Sequence, residues 1–183
     1  MEEPAYRRPE KVLVYLYRRA TSCGDPFPDR AKRLEYLLLQ RRPGTTNAGA
    51  IWQTVVGAVR WQEERVEAAR REVFEETGLT MVRGIMAIGY AFSFPIRLCK
   101  DQESWYAPDV TTINNTVYAG EVVSARRILL CKEHVDYGWF SYADALHRLH
   151  WPEEQEALSR LHPMIAAQAQ RPPQTGAGVA RQA

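Results

Sequence analysis

One helix, predicted over residues 63–77, is the most clearly defined element of this chain. Val66, Ala69 and Val73 recur at helical spacing, so their side chains form one apolar stripe. Gly78 follows at the position where a glycine C-cap usually ends a helix. The fold class therefore depends on the segments that flank this helix.

The flanking segments predict a mixture of strands and helices. Strands rich in β-branched and aromatic residues are predicted at residues 11–17, 34–40, 51–56, 84–94, 112–123, 128–130 and 137–140. Residues 21–30 and 43–49 are rich in turn formers and predict long connections. Two further helices are predicted, one capped by Ser141 and one opened by Pro152. The alternation favours an α/β fold.

Length and composition indicate a single domain. The chain has 183 residues, of which 45% are hydrophobic and 25% charged, as in soluble globular proteins. We expect a domain at residues 1–165 and a disordered tail at residues 166–183, where Gln, Ala, Pro and Gly show no apolar period. The prediction is of one core followed by a tail.

Charge and cysteine usage narrow the partners and the compartment. The 24 basic and 22 acidic side chains nearly cancel, which gives no general attraction to nucleic acid or to a membrane. Cys23, Cys99 and Cys131 are odd in number and widely spaced, so no disulfide framework or zinc site follows. No apolar run approaches the roughly 20 residues of a membrane span. We expect a cytoplasmic protein with a small-molecule substrate, and a homodimer remains open.

Three glutamates on the predicted helix are the first candidates for chemistry. Glu72, Glu75 and Glu76 stand at i, i+3 and i+4, so we expect their side chains to emerge from one face about one turn apart, opposite the Val66 and Ala69 side, and to repel one another. Arg70 or Arg71 could neutralise them in a solvated acidic face. Alternatively, they could hold a hard divalent cation such as Mg²⁺, which takes oxygen ligands. Spacing alone leaves both interpretations open.

The spacing around these glutamates resembles the Nudix box. Glycine, five residues, glutamate, seven residues and then Arg-Glu-hydrophobic-x-Glu-Glu-x-Gly-hydrophobic is matched at every defined position from Gly57 to Leu79. The resemblance implies a mixed β-sheet in an α/β/α sandwich. It also implies hydrolysis of a nucleoside diphosphate linked to another moiety, by water attack on phosphorus with Mg²⁺ or Mn²⁺.

The same resemblance implies roles for individual residues. The implied metal ligands are Glu72, Glu75, Glu76 and the backbone carbonyl of Gly57, and Glu72 or Glu75 could also accept the proton of the attacking water. The residues expected to support the motif are Glu63, Arg71 and Gly78. Arg71 would orient the carboxylates, Glu63 would support the loop or an outer metal shell, and Gly78 would end the helix.

Outer segments resemble one branch of that family, the bacterial enzymes that cleave dihydroneopterin triphosphate. The matching segments are residues 6–9, 40–42, 52–55, 105–110 and 133–134, with Trp139. In this comparison Arg7 and Arg41 match substrate-binding positions, and Glu133 matches a further metal-binding and catalytic glutamate. Val56 stands where that branch has threonine. The pterin ring or a nucleotide base could stack on Trp52, Trp105 or Tyr106, although large aromatic residues are often core.

Three functional hypotheses follow from these residues and the resemblance. The first is a metal-dependent pyrophosphohydrolase of dihydroneopterin triphosphate or a related nucleoside triphosphate, in folate biosynthesis. The second is a house-cleaning hydrolase of non-standard nucleotides or dinucleoside polyphosphates. The third is a Nudix-type binding module without catalysis, against which the intact glutamates argue.

Overall fold

The computed structural model describes residues 6–19, 34–43, 50–98, 103–123 and 127–169. The strands are β1 (Glu10–Arg19), β2 (Leu34–Arg41), β3 (Trp52–Gln53), β4 (Val55–Ala58), β5 (Val82–Pro95), β6 (Thr112–Val122) and β7 (His134–Ser141). The helices are α1 (Arg65–Thr77), α2 (Tyr142–Arg148) and α3 (Pro152–Ala169). The predicted connection at 21–30 and most of the one at 43–49 lie outside the described residues.

All of these strands belong to one mixed sheet. Its main path has the order β3-β2-β1-β6-β5, while β4 pairs with β1 and β7 pairs with β2. Strands β1 and β6 run parallel, from Glu10 opposite Asn114 to Tyr17 opposite Glu121, and the other pairs are antiparallel. Strand β1 is therefore the centre of the sheet.

The two faces of β1 contact different helices. Val12, Val14 and Leu16 pack in a core cluster that includes the apolar stripe of α1. The alternate residues, such as Leu13 and Tyr15, pack in a second cluster with α2 and α3. Burial on both faces explains why the sequence of this strand is almost continuously apolar. The α/β/α sandwich implied by the sequence is confirmed.

The prediction of one strand over residues 51–56 is wrong in detail. Strand β3 pairs with β2, β4 pairs with β1, and Thr54 lies between them. The Thr54 hydroxyl donates to the Val14 carbonyl at 2.5 Å, at the point where the segment changes partner. The second piece also passes Gly57 and ends at Ala58.

The predicted strand at residues 128–130 does not form. Its backbone N–H groups turn towards the carboxyl end of α1, where the N–H of Leu129 donates to Thr77 O at 2.8 Å. The N–H of Cys131 points in the same way to Glu76 O, at 3.4 Å. This segment satisfies helix carbonyls that have no partner within the helix, and so it caps α1 instead of joining the sheet.

Helix α3 continues to Ala169, and residues 170–183 lie outside the described residues, so the domain boundary at 165/166 stays a prediction. Among the described residues, no helix combines the length and apolar character needed to cross a bilayer.

A buried glutamate in the first turn of α3 predicts pH-dependent stability. Glu154 is 5% exposed, and its Oε2 atom has no hydrogen-bond partner. Burial, with a smaller effect of Glu153, raises the pKa of Glu154 from 4.5 to about 8. Between pH 4.5 and pH 8 the carboxyl group of Glu154 is protonated in the native state and ionised in the unfolded state. The free energy of unfolding therefore falls as the pH rises through this range. The full difference corresponds to roughly 5 kcal/mol.

Urea unfolding at pH 5, 6.5 and 8 tests this expectation. We expect Glu154→Gln to lose most of the decline between pH 5 and 8 and to be clearly more stable than wild type at pH 8. Glu156→Gln, an exposed change on the same helix, is the matched control and should follow the wild-type curve. Parallel curves for wild type and Glu154→Gln would contradict the prediction.

Candidate active site

A cleft of about 840 Å³ lies beside the amino-terminal half of β1, against α1 and the loop that precedes it. Four carboxylates line it, and they are Glu72, Glu75, Glu76 and Glu133. Seven basic side chains line it as well, and they are Arg7, Arg8, Lys11, Arg41, Arg60, Arg71 and Lys132. A cleft with an acidic patch and many cations suits an anionic ligand.

Strand β4 places the first glutamate because one of its residues has no side chain. Gly57 pairs with Val12 of β1, and a Cβ atom on Gly57 would lie 1.7 Å from Cδ of Glu72. The carboxyl group of Glu72 therefore occupies the space that any other residue at position 57 would fill. This close approach is a structural reason for the glycine of the motif.

Glu76 is more buried than Glu72 and Glu75. It follows Ala69 by seven residues, almost two complete turns, so it emerges near the apolar stripe of α1 and is only 7% exposed. Val56 N–H donates to its carboxylate, whereas Oε2 has no hydrogen-bond partner among the described residues. Burial, and then the charges of Glu72 and Glu133, raise the pKa of Glu76 well above its ordinary value. The expectation that all three glutamates lie opposite the apolar stripe is wrong for Glu76.

Arg71 connects the helix to the preceding loop. Its guanidinium donates to both carboxylate oxygens of Glu63, at 2.8 and 2.9 Å, and to the carbonyl of Ala58 at 2.8 Å. It also donates to Glu72 at 2.6 Å and to Glu75 at 3.1 Å. The hydrogen bond from Arg71 lowers the pKa of Glu63. Arg71 thus pairs with two of the three helix glutamates, while Arg70 forms no ion pair among the described residues.

Glu63 and Gly78 do not line the cleft, but they stabilise the loop before α1 and the end of α1. Glu63 lies before the helix, since Glu64 is the N-cap, and its carboxylate accepts a hydrogen bond from Arg60 N–H at 2.9 Å. Gly78 has a φ of 68° and ends α1 with a hydrogen bond to Phe74 O. A Cβ on Gly78 would also meet Leu129 at 3.0 Å. The predicted C-cap is confirmed, whereas the predicted start of the helix at Glu63 is wrong, because Glu64 caps the helix and α1 begins at Arg65.

Glu133 and Arg41 face the helix glutamates from the other side of the cleft. Their charged groups are 3.6 Å apart, and the side chain of Glu133 is half exposed. The adjacent His134 is buried, its Nδ1 lies 3.4 Å from Cys131 Sγ, and burial lowers its pKa to about 4. His134 is therefore a neutral residue behind the cleft wall, while Glu133 is placed to contact a ligand.

Only one of the three aromatic candidates reaches the cleft. Trp105 lines it, and the Arg7 guanidinium lies 3.9 Å from the centre of its ring. Trp52 instead packs edge-on against Phe140, and Tyr106 is buried at 3% exposure. The alternation of β3 explains the position of Trp52, since it turns towards the second core cluster.

Several cleft residues received no role from the sequence. Among them are Trp61, Arg60, Lys11 and Lys132, of which Arg60 contacts Glu75 at 3.1 Å. Trp61 lies in the five-residue spacer between Gly57 and Glu63, and a large aromatic side chain in a surface loop is a signal that could have marked it. Lys11 and Lys132 carry no such signal.

The carboxylates suit a hard cation, although they are not arranged around one point. Within the described part of the chain, no three Asp, Glu, His or Cys side chains converge as a complete metal site. Mg²⁺ commonly takes one or two carboxylates and fills its remaining positions with water and substrate phosphates. The unpartnered Oε2 of buried Glu76, with Glu72 and Glu133 nearby, is a donor set of this kind.

Comparison with known proteins agrees with this geometry. A family profile described as the NUDIX domain matches residues 7–161, which is most of the chain. The protein is thus an enzyme of the class that hydrolyses acid anhydrides in phosphorus-containing compounds. It belongs to the Nudix family, whose members generally use divalent metal ions.

Among curated proteins, the chain is similar to the dihydroneopterin triphosphate diphosphatase of Escherichia coli (strain K12). The two are 29% identical over 140 residues, which cover 76% of this chain and 82% of the relative. Proteins with the same description from Escherichia coli O157:H7 and Shigella flexneri match equally well.

Solved structures share the fold. The dihydroneopterin triphosphate pyrophosphohydrolase of E. coli superposes with a TM-score of 0.64 at 23% identity, covering 88% of this chain and 99% of its own. A Nudix hydrolase from Listeria monocytogenes gives 0.69 at 22% identity, with 88% and 97% covered. The Ap4A hydrolase of C. elegans gives 0.62 at 19% identity, with 86% and 98% covered. At these identities the likeness concerns the fold.

Proposed function

We propose that this protein hydrolyses a phosphoanhydride bond in a pterin or nucleoside triphosphate, with dihydroneopterin triphosphate as the first candidate. The observation that carries the proposal is the buried, unpartnered carboxylate oxygen of Glu76 at a cleft rimmed by cations. A buried carboxylate without a partner is costly, so a ligand that compensates it is expected. The similarity to the E. coli diphosphatase supports the substrate class.

The proposed cofactor is Mg²⁺ or Mn²⁺, held by Glu72, Glu75, Glu76, Glu133 and the carbonyl of Gly57. When bound, such an ion would neutralise phosphate charge and lower the pKa of a bound water. Of Glu72, Glu75 and Glu76, Glu75 is the most exposed, at 43%, and its partners Arg60 and Arg71 would have to share it. The exposed guanidinium of Arg60 can then turn to a phosphate oxygen, while Arg71 keeps its contacts with Glu63 and Glu72.

The remaining side chains would place the substrate and remove the proton. Arg7 and Arg41 would bind the polyphosphate, and Arg71 would hold Glu72 in position through its 2.6 Å contact. Water oxygen attacks phosphorus, the bridging P–O bond breaks, and the proton of the water passes to a carboxylate. The catalytic candidates for that proton are Glu72, Glu75 and Glu133. Of these, Glu133 is half exposed, and its carboxylate lies 3.6 Å from the Arg41 guanidinium.

A substrate panel tests the proposed class of substrate. Pyrophosphate and phosphate release are measured with Mg²⁺ on dihydroneopterin triphosphate, standard and oxidised nucleoside triphosphates, and dinucleoside polyphosphates. Preference for the pterin compound supports the proposal and a place in folate biosynthesis. Preference for non-standard nucleotides or dinucleoside polyphosphates selects the house-cleaning alternative. Binding without turnover of any compound selects the non-catalytic alternative.

Changing Glu133 to Gln separates a catalytic from a surface role. We expect kcat to fall about 10²-fold, the usual size of general-base effects, because an amide cannot accept the proton. Asp136→Asn, an exposed change on β7 three residues after Glu133, is the matched control and should keep the wild-type rate. An unchanged rate and pH profile for Glu133→Gln would return this residue to the surface.

The proposal also includes the cellular setting. The balanced charge and the small cleft favour a small-molecule substrate over nucleic acid or a membrane surface. We place the protein in the cytoplasm, and a homodimer remains open as its assembly.

A further inference from the structure

Trp61 is an exposed aromatic side chain held in a fixed position at the cleft. It lies in the loop between β4 and α1, lines the cleft and is 49% exposed. Its Nε1–H donates to the backbone carbonyl of Tyr6 at 2.7 Å. A large aromatic ring that is half exposed and fixed by a hydrogen bond is typical of a preorganised ligand-binding surface.

The loop around Trp61 is held by further contacts. The next residue, Gln62, has a φ of 64°, a left-handed conformation that a non-glycine residue adopts at a cost of roughly 1 kcal/mol or more. Arg8 Nη1 donates to the carbonyl of Glu63 at 3.1 Å. Two contacts from the amino-terminal segment therefore fix this loop, and they fix the indole ring with it.

The loop also contacts the carboxylates through the residue next to Trp61. Arg60, the neighbour of Trp61, donates through its backbone N–H to Glu63 and through its guanidinium to Glu75. Trp61 thus follows directly in sequence a residue, Arg60, whose guanidinium contacts Glu75. A ligand whose phosphates lie at that patch can extend its other end to Trp61.

The segment that holds Trp61 also carries a second planar group. Arg7 follows Tyr6, its N–H donates to Trp105 O at 2.7 Å, and its guanidinium stacks at 3.9 Å on the Trp105 ring. Tyr6 therefore contacts Trp61, and Arg7 contacts Trp105, so the same short backbone segment holds both tryptophans. Aromatic rings and guanidinium planes together are typical of surfaces that bind nucleobases without reading their edges.

We infer that Trp61 is the residue on which the planar ring of the substrate stacks, with the Arg7–Trp105 pair as a neighbouring contact. The inference rests on the proposed function, because it assumes that phosphates occupy the acidic end of the cleft. It makes Trp61 a specificity-determining residue for a planar heteroaromatic ring, pterin or purine, that carries a polyphosphate. Inorganic triphosphate would not use it.

Binding measurements with two probes test the inference. Dissociation constants are measured by titration calorimetry with Mg²⁺ for α,β-methylene guanosine triphosphate, which resists cleavage at that bond, and for inorganic triphosphate. We expect Trp61→Ala to weaken the nucleotide analogue five- to 150-fold, the range that about 1–3 kcal/mol of stacking corresponds to. Triphosphate binding should change less than twofold.

Two further variants separate stacking from loop structure. Trp61→Phe keeps an aromatic ring and loses the hydrogen bond to Tyr6, so it should lose much less affinity than Trp61→Ala. Trp151→Ala removes a tryptophan of similar exposure, 42%, that does not line the cleft, and it should bind both probes like wild type. Equal affinities of wild type and Trp61→Ala for the nucleotide analogue would overturn the inference. Equal losses for both probes, or no binding of the analogue to wild type, would overturn it too.

These outcomes can be distinguished from failure of the proposed function. Turnover is measured separately on the substrate panel. Selective loss of nucleotide binding in Trp61→Ala without turnover by wild type would support the ring site and reject the hydrolase proposal. Turnover by wild type with unselective effects of Trp61→Ala would do the reverse.

Discussion

Glu76→Gln is expected to reduce kcat/KM for the best phosphoanhydride substrate by about 10³-fold while leaving the fold intact. Loss of a carboxylate that compensates a catalytic cation costs several kcal/mol of transition-state stabilisation, and each 1.36 kcal/mol is a tenfold rate change. The amide can still accept the hydrogen bond from Val56 N–H. Because burial already raises the pKa of Glu76, a neutral side chain there should not lower the melting temperature at pH 8.

The matched control for this variant is Glu67→Gln on the same helix. Glu67 is exposed and accepts a hydrogen bond from Glu64 N–H at 3.2 Å, which glutamine can also accept. It should retain wild-type turnover and a wild-type melting temperature. Wild-type turnover in Glu76→Gln would show that the buried oxygen has no part in the reaction.

Gly57→Ala is expected to reduce kcat/KM about 10²-fold through displacement of Glu72. The added Cβ would lie 1.7 Å from Cδ of Glu72, so the carboxyl group has to leave its present position. The obstacle is the end of a flexible side chain, and therefore we expect the sheet pairing of β4 with β1 to persist. The measurement is steady-state kinetics together with circular dichroism of the folded variant. The expected factor assumes general acid–base or electrostatic effects of ordinary size.

Gly84→Ala is the control for the glycine substitution. A Cβ atom added to Gly84 would meet no atom within 4 Å, but the φ of 62° means that alanine there costs roughly 1 kcal/mol of backbone strain. Gly84 does not line the cleft. We expect lower stability and unchanged kcat/KM. If Gly57→Ala also kept its kcat/KM while Glu72→Gln lost it, the proposed dependence of the Glu72 position on Gly57 would be wrong.

Much of the fold could be predicted because the sequence periodicity is strong where burial is strong. The apolar stripe of α1 and the C-cap at Gly78 could be predicted because both depend on local chain geometry. The strand predicted at 128–130 was wrong because its N–H groups cap α1, a tertiary contact that apolar runs do not reveal. The split at Thr54 has the same origin, since a change of strand partner leaves no mark in composition.

The candidate site shows a similar division. The resemblance identified the four carboxylates and two arginines that line one cleft, although they are spread from Arg7 to Glu133. It could not show that Glu76 is buried while Glu75 is exposed, because that depends on how α1 is rotated against the sheet. Trp61 was missed as a contact, since its position depends on a hydrogen bond to Tyr6, 55 residues away in the chain.

The central claim is that the carboxylate cleft hydrolyses a phosphoanhydride with a divalent cation. The most direct test is the rate of pyrophosphate release from dihydroneopterin triphosphate by the full chain as Mg²⁺ is removed by a chelator and then restored. We predict a rate that disappears with the chelator and returns with added Mg²⁺, and that is about 10³-fold lower in Glu76→Gln when Mg²⁺ is present. A rate that persists in excess chelator, or one that Glu76→Gln retains in full, would contradict the account.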